Sequence, residues 1–174
     1  MAIATCGVGY FPIAPGTLGS LVGVALYLFV FAFGHHILFA NHEQSRLSQE
    51  QVWTVELTVA LITTCLVTMI GIRTATRAER LLQCKDPSIV VIDEVAGQMI
   101  ALLSGPLWLH RWWSVLTAFL LFRLFDIWKP YPIRRLEGLE SGLGIMADDI
   151  VAGAYALIVN SILISGYLLI FPTA

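Results

Sequence analysis

Charge is what this chain has least of. Asp, Glu, Lys and Arg make up 13% of its 174 residues, about half the ~25% of an ordinary soluble domain. With 57% hydrophobic residues and a mean hydropathy of +0.80, that shortage excludes a soluble fold and predicts an integral membrane protein. There is no basic excess either. The net charge of −2 offers nucleic acid nothing to hold, so no such partner is expected. Cysteine is scarce: Cys6, Cys65 and Cys84 stand at no metal-ligand spacing, and neither Cys6 nor Cys84 has the Arg six residues on that a cysteine-phosphatase loop needs. No charged region precedes the first apolar segment, so no cleavable signal is expected. No internal repeat is visible.

What is present is a series of long apolar runs. They cover Thr17 to Gly34, Val52 to Ile72, Ile89 to Leu109, a stretch from Trp112 into the 120s, and Ile150 to Phe171. They predict an all-α, polytopic membrane protein with about five transmembrane helices, forming one integral-membrane domain over residues 1–174. Between the second and third runs, Arg73, Arg77 and Arg80 recur at helical spacing, which predicts a short interfacial helix from Arg73 to Lys85. Asp86-Pro87 then reads as an N-cap and first helical residue. Glu56 lies near the start of its run, within reach of the interface.

Four blocks break the apolar pattern. The first, Pro15-Gly16-Thr17-Leu18-Gly19-Ser20, puts a turn and two hydroxyls at a helix N-terminus, an arrangement that can hold phosphate through Thr17. Gly16, Gly19, Ser20 and Gly23 also share one helix side, which favours close helix packing. The second block sets Asp93-Glu94 inside a helix, on one broad face with Gly97, Gln98 and Ala101. In the third, Phe122 to Arg135, Arg123, Asp126 and Lys129 follow at three-residue spacing on one helix side, and Pro130 and Pro132 stop the helix. The fourth carries Gly138, Gly142 and Gly144 as a glycine-rich loop, then Asp148-Asp149 opening the last run above a small-residue face of Ala152, Gly153 and Ala156.

Spacing and charge place these blocks together. Glu94 and Asp126 are separated by 31 residues; a hairpin turning near Gly105-Pro106 and His110-Arg111 has arms of about 16 residues, or roughly 24 Å, against a hydrocarbon core of roughly 30 Å. Whether residues 95–125 cross fully or are re-entrant, both acids return to one surface. Lys and Arg counts set the orientation. A cytoplasmic N-terminus leaves only Arg46 and Arg111 outside, and eight basic residues inside. All four blocks then lie at the cytoplasmic face and all four histidines at the other.

Five carboxylates at one surface repel unless a cation sits among them. Oxygen donors without His or Cys favour a hard ion, Mg²⁺, and Arg123 and Lys129 beside it can bind a phosphate. This points to phosphoryl chemistry on a membrane lipid. Water activated by the metal and a carboxylate is the expected nucleophile, with attack by an Asp as the alternative. The candidate metal ligands are Asp93, Glu94, Asp126 and Asp149, and Asp148 is the candidate base; all five are the candidate catalytic acids. Arg134 and Arg135 read as anchors to lipid head groups. A transporter is disfavoured because the acids gather at one face rather than the midplane, and a CDP-alcohol phosphotransferase because its compact D-G-x-x-A-R motif is absent.

The blocks PIAPGTLGS at 12–20, DPSIVVIDEVAGQ at 86–98, FRLFDIWKPYPIR at 122–134 and GLGIMADDIVAG at 142–153 together resemble the motifs of the phosphatidylglycerophosphatase A family, over nearly the whole chain and in order. The resemblance implies a Mg²⁺-dependent enzyme of the bacterial inner membrane. Its implied substrate is a phospholipid in the bilayer, phosphatidylglycerophosphate, which loses its terminal phosphate to give phosphatidylglycerol.

Overall fold

In the computed structural model, which describes residues 1–40, 48–85, 87–104, 112–136 and 141–171, every regular element is a helix. The order is α1 (Ala2–Thr5), α2 (Pro15–Ala40), α3 (Gln49–Leu82), α4 (Ile92–Ala101) running into a 3-10 turn (Leu102–Ser104), α5 (Trp112–Trp128), α6 (Ile133–Leu136) and α7 (Ser141–Ile170). Three segments are long and apolar enough to cross a membrane: Pro15–Gly34, Glu50–Leu82 and Ser141–Ile170. Their outer faces expose Leu21, Phe29, Ile62, Leu66, Ile158 and Ile162, an apolar belt that suits lipid and not water. The outer loop with Arg46, the Asp86 cap, the turn at Gly105-Pro106 and His110-Arg111, and Gly138 lie outside the described residues.

The short helix α4 sits at the centre. It packs against α2, α3, α5 and α7, and eight of its residues are buried, Asp93 and Gln98 among them. Such enclosure requires neighbours that come very close. A β-carbon on Gly153 of α7 would fall onto the Gly97 carbonyl of α4, and one on Gly97 would meet the Phe122 ring and the Asp149 carbonyl. The small residues read from the sequence as packing faces are therefore backbone-to-backbone contacts. On the other side of α4, Gly23 of α2 lies against Val95 and Gln98 in the same way.

Where α4 ends, one buried polar cluster ties three elements. Asn160 of α7 is fully buried; it donates to Ser104 Oγ at 2.7 Å and the Ser114 carbonyl at 3.2 Å, and accepts from Thr117 Oγ1 at 2.7 Å. Each polar group finds a partner, as an apolar surrounding demands.

Several element boundaries differ from those expected. The segment Arg73–Lys85 is not a separate interfacial helix, because α3 runs unbroken to Leu82. No breaker interrupts it, and while Arg73, Arg77 and Arg80 face outward, Ala75 and Ala78 are buried against Ile92, Ala96 and Met146. At 34 residues it is about 51 Å long, so it reaches well beyond a bilayer core. Helix α4 begins at Ile92, not at Pro87: Val90 N–H closes a turn onto the Pro87 carbonyl at 2.8 Å, and Val91 N–H donates to the Ala4 carbonyl at 2.9 Å, which ties this turn to α1. Consequently Asp93 and Glu94 occupy the first helical turn. Conversely, Gly142 and Gly144 are helical and buried rather than in a loop, so α7 starts at Ser141 and Asp148-Asp149 lie two turns inside it. Glu56 is buried at 7% exposure, turned inward near Tyr27 rather than out to the interface.

Gly153→Ala should push α7 off α4 and cost about 1–3 kcal/mol by overpacking, read as a lower unfolding temperature in detergent. Gly166→Ala, where an added β-carbon meets nothing within 4 Å, should be neutral or stabilising.

Candidate active site

Asp93 and Glu94 from the first turn of α4 meet Asp149 from the interior of α7. Each offers one carboxylate oxygen, and the three lie within 4.8 Å of one another. Asp93 and Asp149 are buried and Glu94 is half-buried. Gly16 makes room for the group: a β-carbon there would collide with Glu94 Oε1 and crowd Arg123. The Gly97–Gly153 contact brings α7 in from the other side.

Helix α5 closes the site with charge of both signs. Arg123 pairs with Asp126 at 2.6 Å, one turn along the same helix, and its guanidinium also reaches Ser20 Oγ at 3.4 Å. Asp126 is an electrostatic neighbour of both Glu94 and Asp149. Just past the end of α5, Lys129 adopts a left-handed backbone with φ 49° and donates from Nζ to Asp148 Oδ2 at 2.9 Å. Four of the acids thus form a single contiguous cluster, and the fifth, Asp148, sits beside Asp149 with its own cation.

The donor chemistry fits a hard divalent ion. Three carboxylates converge, no imidazole or thiolate is among them, and Glu94 Oε2 is buried with no hydrogen-bond partner. Oxygen-only sets of this kind select Mg²⁺ over zinc or copper. Buried like charges at this separation are unfavourable unless a cation compensates them. The Nε of Arg123 is likewise a buried donor without a partner, suited to an anion at the mouth of the acid cluster. Cys6 lies nearby, and burial, and then the negative Glu94, push its thiol above the ordinary range, which disfavours the thiolate.

The sequence-predicted residues divide by position. Asp93, Glu94 and Asp149 converge; Asp126 and Asp148 join through Arg123 and Lys129. Thr17 is half-buried, one residue off the Gly16–Gly19–Ser20 face that abuts Glu94. Arg134 and Arg135 are exposed on α6. His36 is exposed on α2, twenty residues beyond Gly16. Two participants were not among the candidate site residues read from the sequence, where Ser20 belonged to a packing face and Gln98 to the face of Asp93 and Glu94. Ser20 receives Arg123, and Gln98, one turn below Glu94, is fully buried with neither amide atom hydrogen-bonded. The i,i+4 spacing from Glu94 was the available signal for Gln98.

Comparison with known proteins gives a consistent picture. The profile described as phosphatidylglycerophosphatase A matches residues 2–164. A Bacteroides thetaiotaomicron protein provisionally named phosphatidylinositol-3-phosphatase is 38% identical over 162 residues, covering 90% of this chain and 87% of its own. Proteins named phosphatidylglycerophosphatase A are 34% identical in Haemophilus influenzae (88% of this chain, 80% of theirs) and 32% identical in Escherichia coli (84% and 72%). No solved structure matches the chain.

A divalent ion held by the three acids should raise the unfolding temperature in detergent as Mg²⁺ is added, by about 2–3 kcal/mol of stability at a hundredfold excess over its dissociation constant. Glu94→Gln should abolish that rise. The same substitution should increase stability in EDTA, because it removes one charge from a crowded buried set.

Proposed function

Since the chain belongs to the phosphatidylglycerophosphatase A family, we propose that it hydrolyses the terminal phosphate monoester of phosphatidylglycerophosphate, in the biosynthesis of phosphatidylglycerol. The observation that carries this reading is the convergence of Asp93, Glu94 and Asp149 beside the partnerless Nε of Arg123. Acids alone would repel a phosphate; acids prepared for a cation, with a guanidinium at their edge, would accept one.

The three acids would hold Mg²⁺, which when bound offsets their charge, polarises the phosphate and lowers the pKa of water. Around it the side chains divide the remaining work. Arg123 takes a phosphate oxygen through Nε while its ion pair with Asp126 fixes its direction. Asp126, adjacent to Glu94 and Asp149, orients the attacking water. A new bond forms from the water oxygen to phosphorus as the bond from phosphorus to the glycerol oxygen breaks. The water's proton goes to a carboxylate, for which Asp148 is the candidate, with Lys129 steadying its charge. The leaving glycerol oxygen takes up the proton that Asp148 has received, which restores the carboxylate, and phosphatidylglycerol and inorganic phosphate depart.

In this reading the active site faces the cytoplasm across a bacterial inner membrane, as the distribution of Lys and Arg favours. The pair formed by α4 and α5 supplies a fourth and fifth membrane segment beside the three long helices. Helix α4, at 10 residues, is about 15 Å long, so that pair need not span completely to bring Asp93, Glu94 and Asp126 to one surface. The whole chain acts as one phosphatase unit. The name of the Bacteroides relative favours a second reading, a phosphoinositide monoester as substrate for the same chemistry.

Phosphate release from phosphatidylglycerophosphate in detergent micelles should require Mg²⁺ and stop in excess EDTA. Asp126→Asn should lower kcat by about a hundredfold or more while unfolding near the wild-type temperature. Release that persists in EDTA sinks the metal assignment, and faster release from phosphatidylinositol 3-phosphate selects the second reading.

A further inference from the structure

Beside the acids lies a crevice of about 480 Å³, walled by Trp128, Lys129, Tyr131, Arg134 and Arg135 together with two prolines. We propose that it is a second, cationic subsite that binds the phosphodiester of the same lipid whose phosphate monoester enters the acid cluster. This rests on the lipid-phosphatase reading above and goes beyond it by saying how one phosphomonoester lipid is told from another.

Three observations carry the inference. The first is charge: among the described residues, three cations line the crevice and no acid does. Arginine forks match phosphate oxygens in pairs, and two adjacent arginines suit an anion of that geometry. The second is that the crevice is built and held. Tyr155 Oη of α7 donates to the Tyr131 carbonyl at 3.0 Å, Ile133 at the start of α6 is fully buried, and the Arg135 guanidinium lies 4.9 Å over the Tyr131 ring. The third is position. Lys129 forms a wall of the crevice and at the same time touches Asp148, so one lysine side chain separates the two sites. Trp128 and Tyr131 are 61% and 71% exposed, amphipathic rings of the kind that settle at head-group depth, where a lipid's phosphodiester lies.

Simple anchoring explains these arginines less well. Arg73, Arg77 and Arg80 are spread along the outer face of α3, as electrostatic adhesion to anionic lipid needs. Arg134 and Arg135 instead converge with Lys129 on one concavity next to the acids. A lipid with a monoester and a diester joined by a short polyol bridge can occupy both sites together; phosphatidic acid, which has only the monoester, cannot.

The test compares wild type with the double variant Arg134→Gln/Arg135→Gln in neutral detergent micelles, where no anionic bilayer lipid is present. For phosphatidylglycerophosphate the variant should raise KM about tenfold and leave kcat within about twofold, the size expected for loss of charge-assisted hydrogen bonds. For phosphatidic acid KM should not move. Phosphatidylglycerol, which keeps the diester and lacks the monoester, should inhibit wild-type hydrolysis of phosphatidylglycerophosphate competitively and inhibit the variant about tenfold less well. Equal KM shifts on the two substrates, or inhibition by phosphatidylglycerol that the variant leaves unchanged, would overturn the subsite and return the arginines to general lipid anchoring. If the wild type releases phosphate from neither lipid, the phosphatase reading itself fails and the subsite with it.

Discussion

Carboxylates brought together in an apolar bundle repel, and that repulsion is the constraint on which the rest of the fold depends. Asp93, Glu94 and Asp149 come within 4.8 Å of one another although a buried charge without compensation costs several kcal/mol. The protein accepts the cost in one place and surrounds it with devices that contain it. Gly16, Gly97 and Gly153 let α2, α4 and α7 approach until the acids meet. Arg123 and Lys129 tether the two flanking acids. The contrast with Asn160 is instructive. That residue is equally buried, but Ser104, Ser114 and Thr117 satisfy it, which makes it a brace rather than a site.

One of the five non-glycine residues with a left-handed backbone among the described residues falls at the same place. Lys129 holds a left-handed backbone that costs a residue with a β-carbon about 1 kcal/mol, and glycine would adopt it freely. A lysine occupies the position, and from it the ammonium reaches Asp148. The chain reverses there between α5 and α6, so the strained turn both delivers the charge and starts the wall of the crevice. Violations of local preference concentrate where function requires them. Gln98 is another such violation, a fully buried amide beneath Glu94 with no partner of its own.

Much of this was legible in the sequence, and what was not has a common cause. Helical spacing was enough to put Asp93 and Glu94 on a face with Gly97 and Ala101, and Asp149 above Gly153, because a helix's faces follow from its period alone. Pro130 was enough to end α5. The failures concern where helices begin. Val91 is held outside the helix by a carbonyl eighty-seven positions earlier, at Ala4, and no local signal announces that. Gly142 is helical because its N–H reaches Thr76 Oγ1 on α3 at 3.1 Å, whereas glycine read locally suggests a loop. Arg73 to Arg80 suggested a surface helix because the buried alanines between them are silent in a charge pattern. In each case a tertiary contact decided a boundary that propensity left open.

The charge balance of the site argues for reading the acid cluster and the α6 arginines as one system. Asp93, Glu94, Asp126, Asp148 and Asp149 set five formal negative charges against the two positive charges of Arg123 and Lys129. A divalent ion removes two of the remaining three and still leaves the cluster negative toward a phosphate. The ion therefore makes binding chemically productive without by itself making it attractive. Among the described residues, Arg134 and Arg135 bring the sum to one positive charge, and they do so from outside the buried cluster, where their own desolvation is small. A lipid head group with a phosphate monoester and a phosphodiester, approaching along the membrane surface, would meet positive charge first and the acid cluster second. That order would give the exposed arginines of the proposed subsite a steering role as well as a binding one.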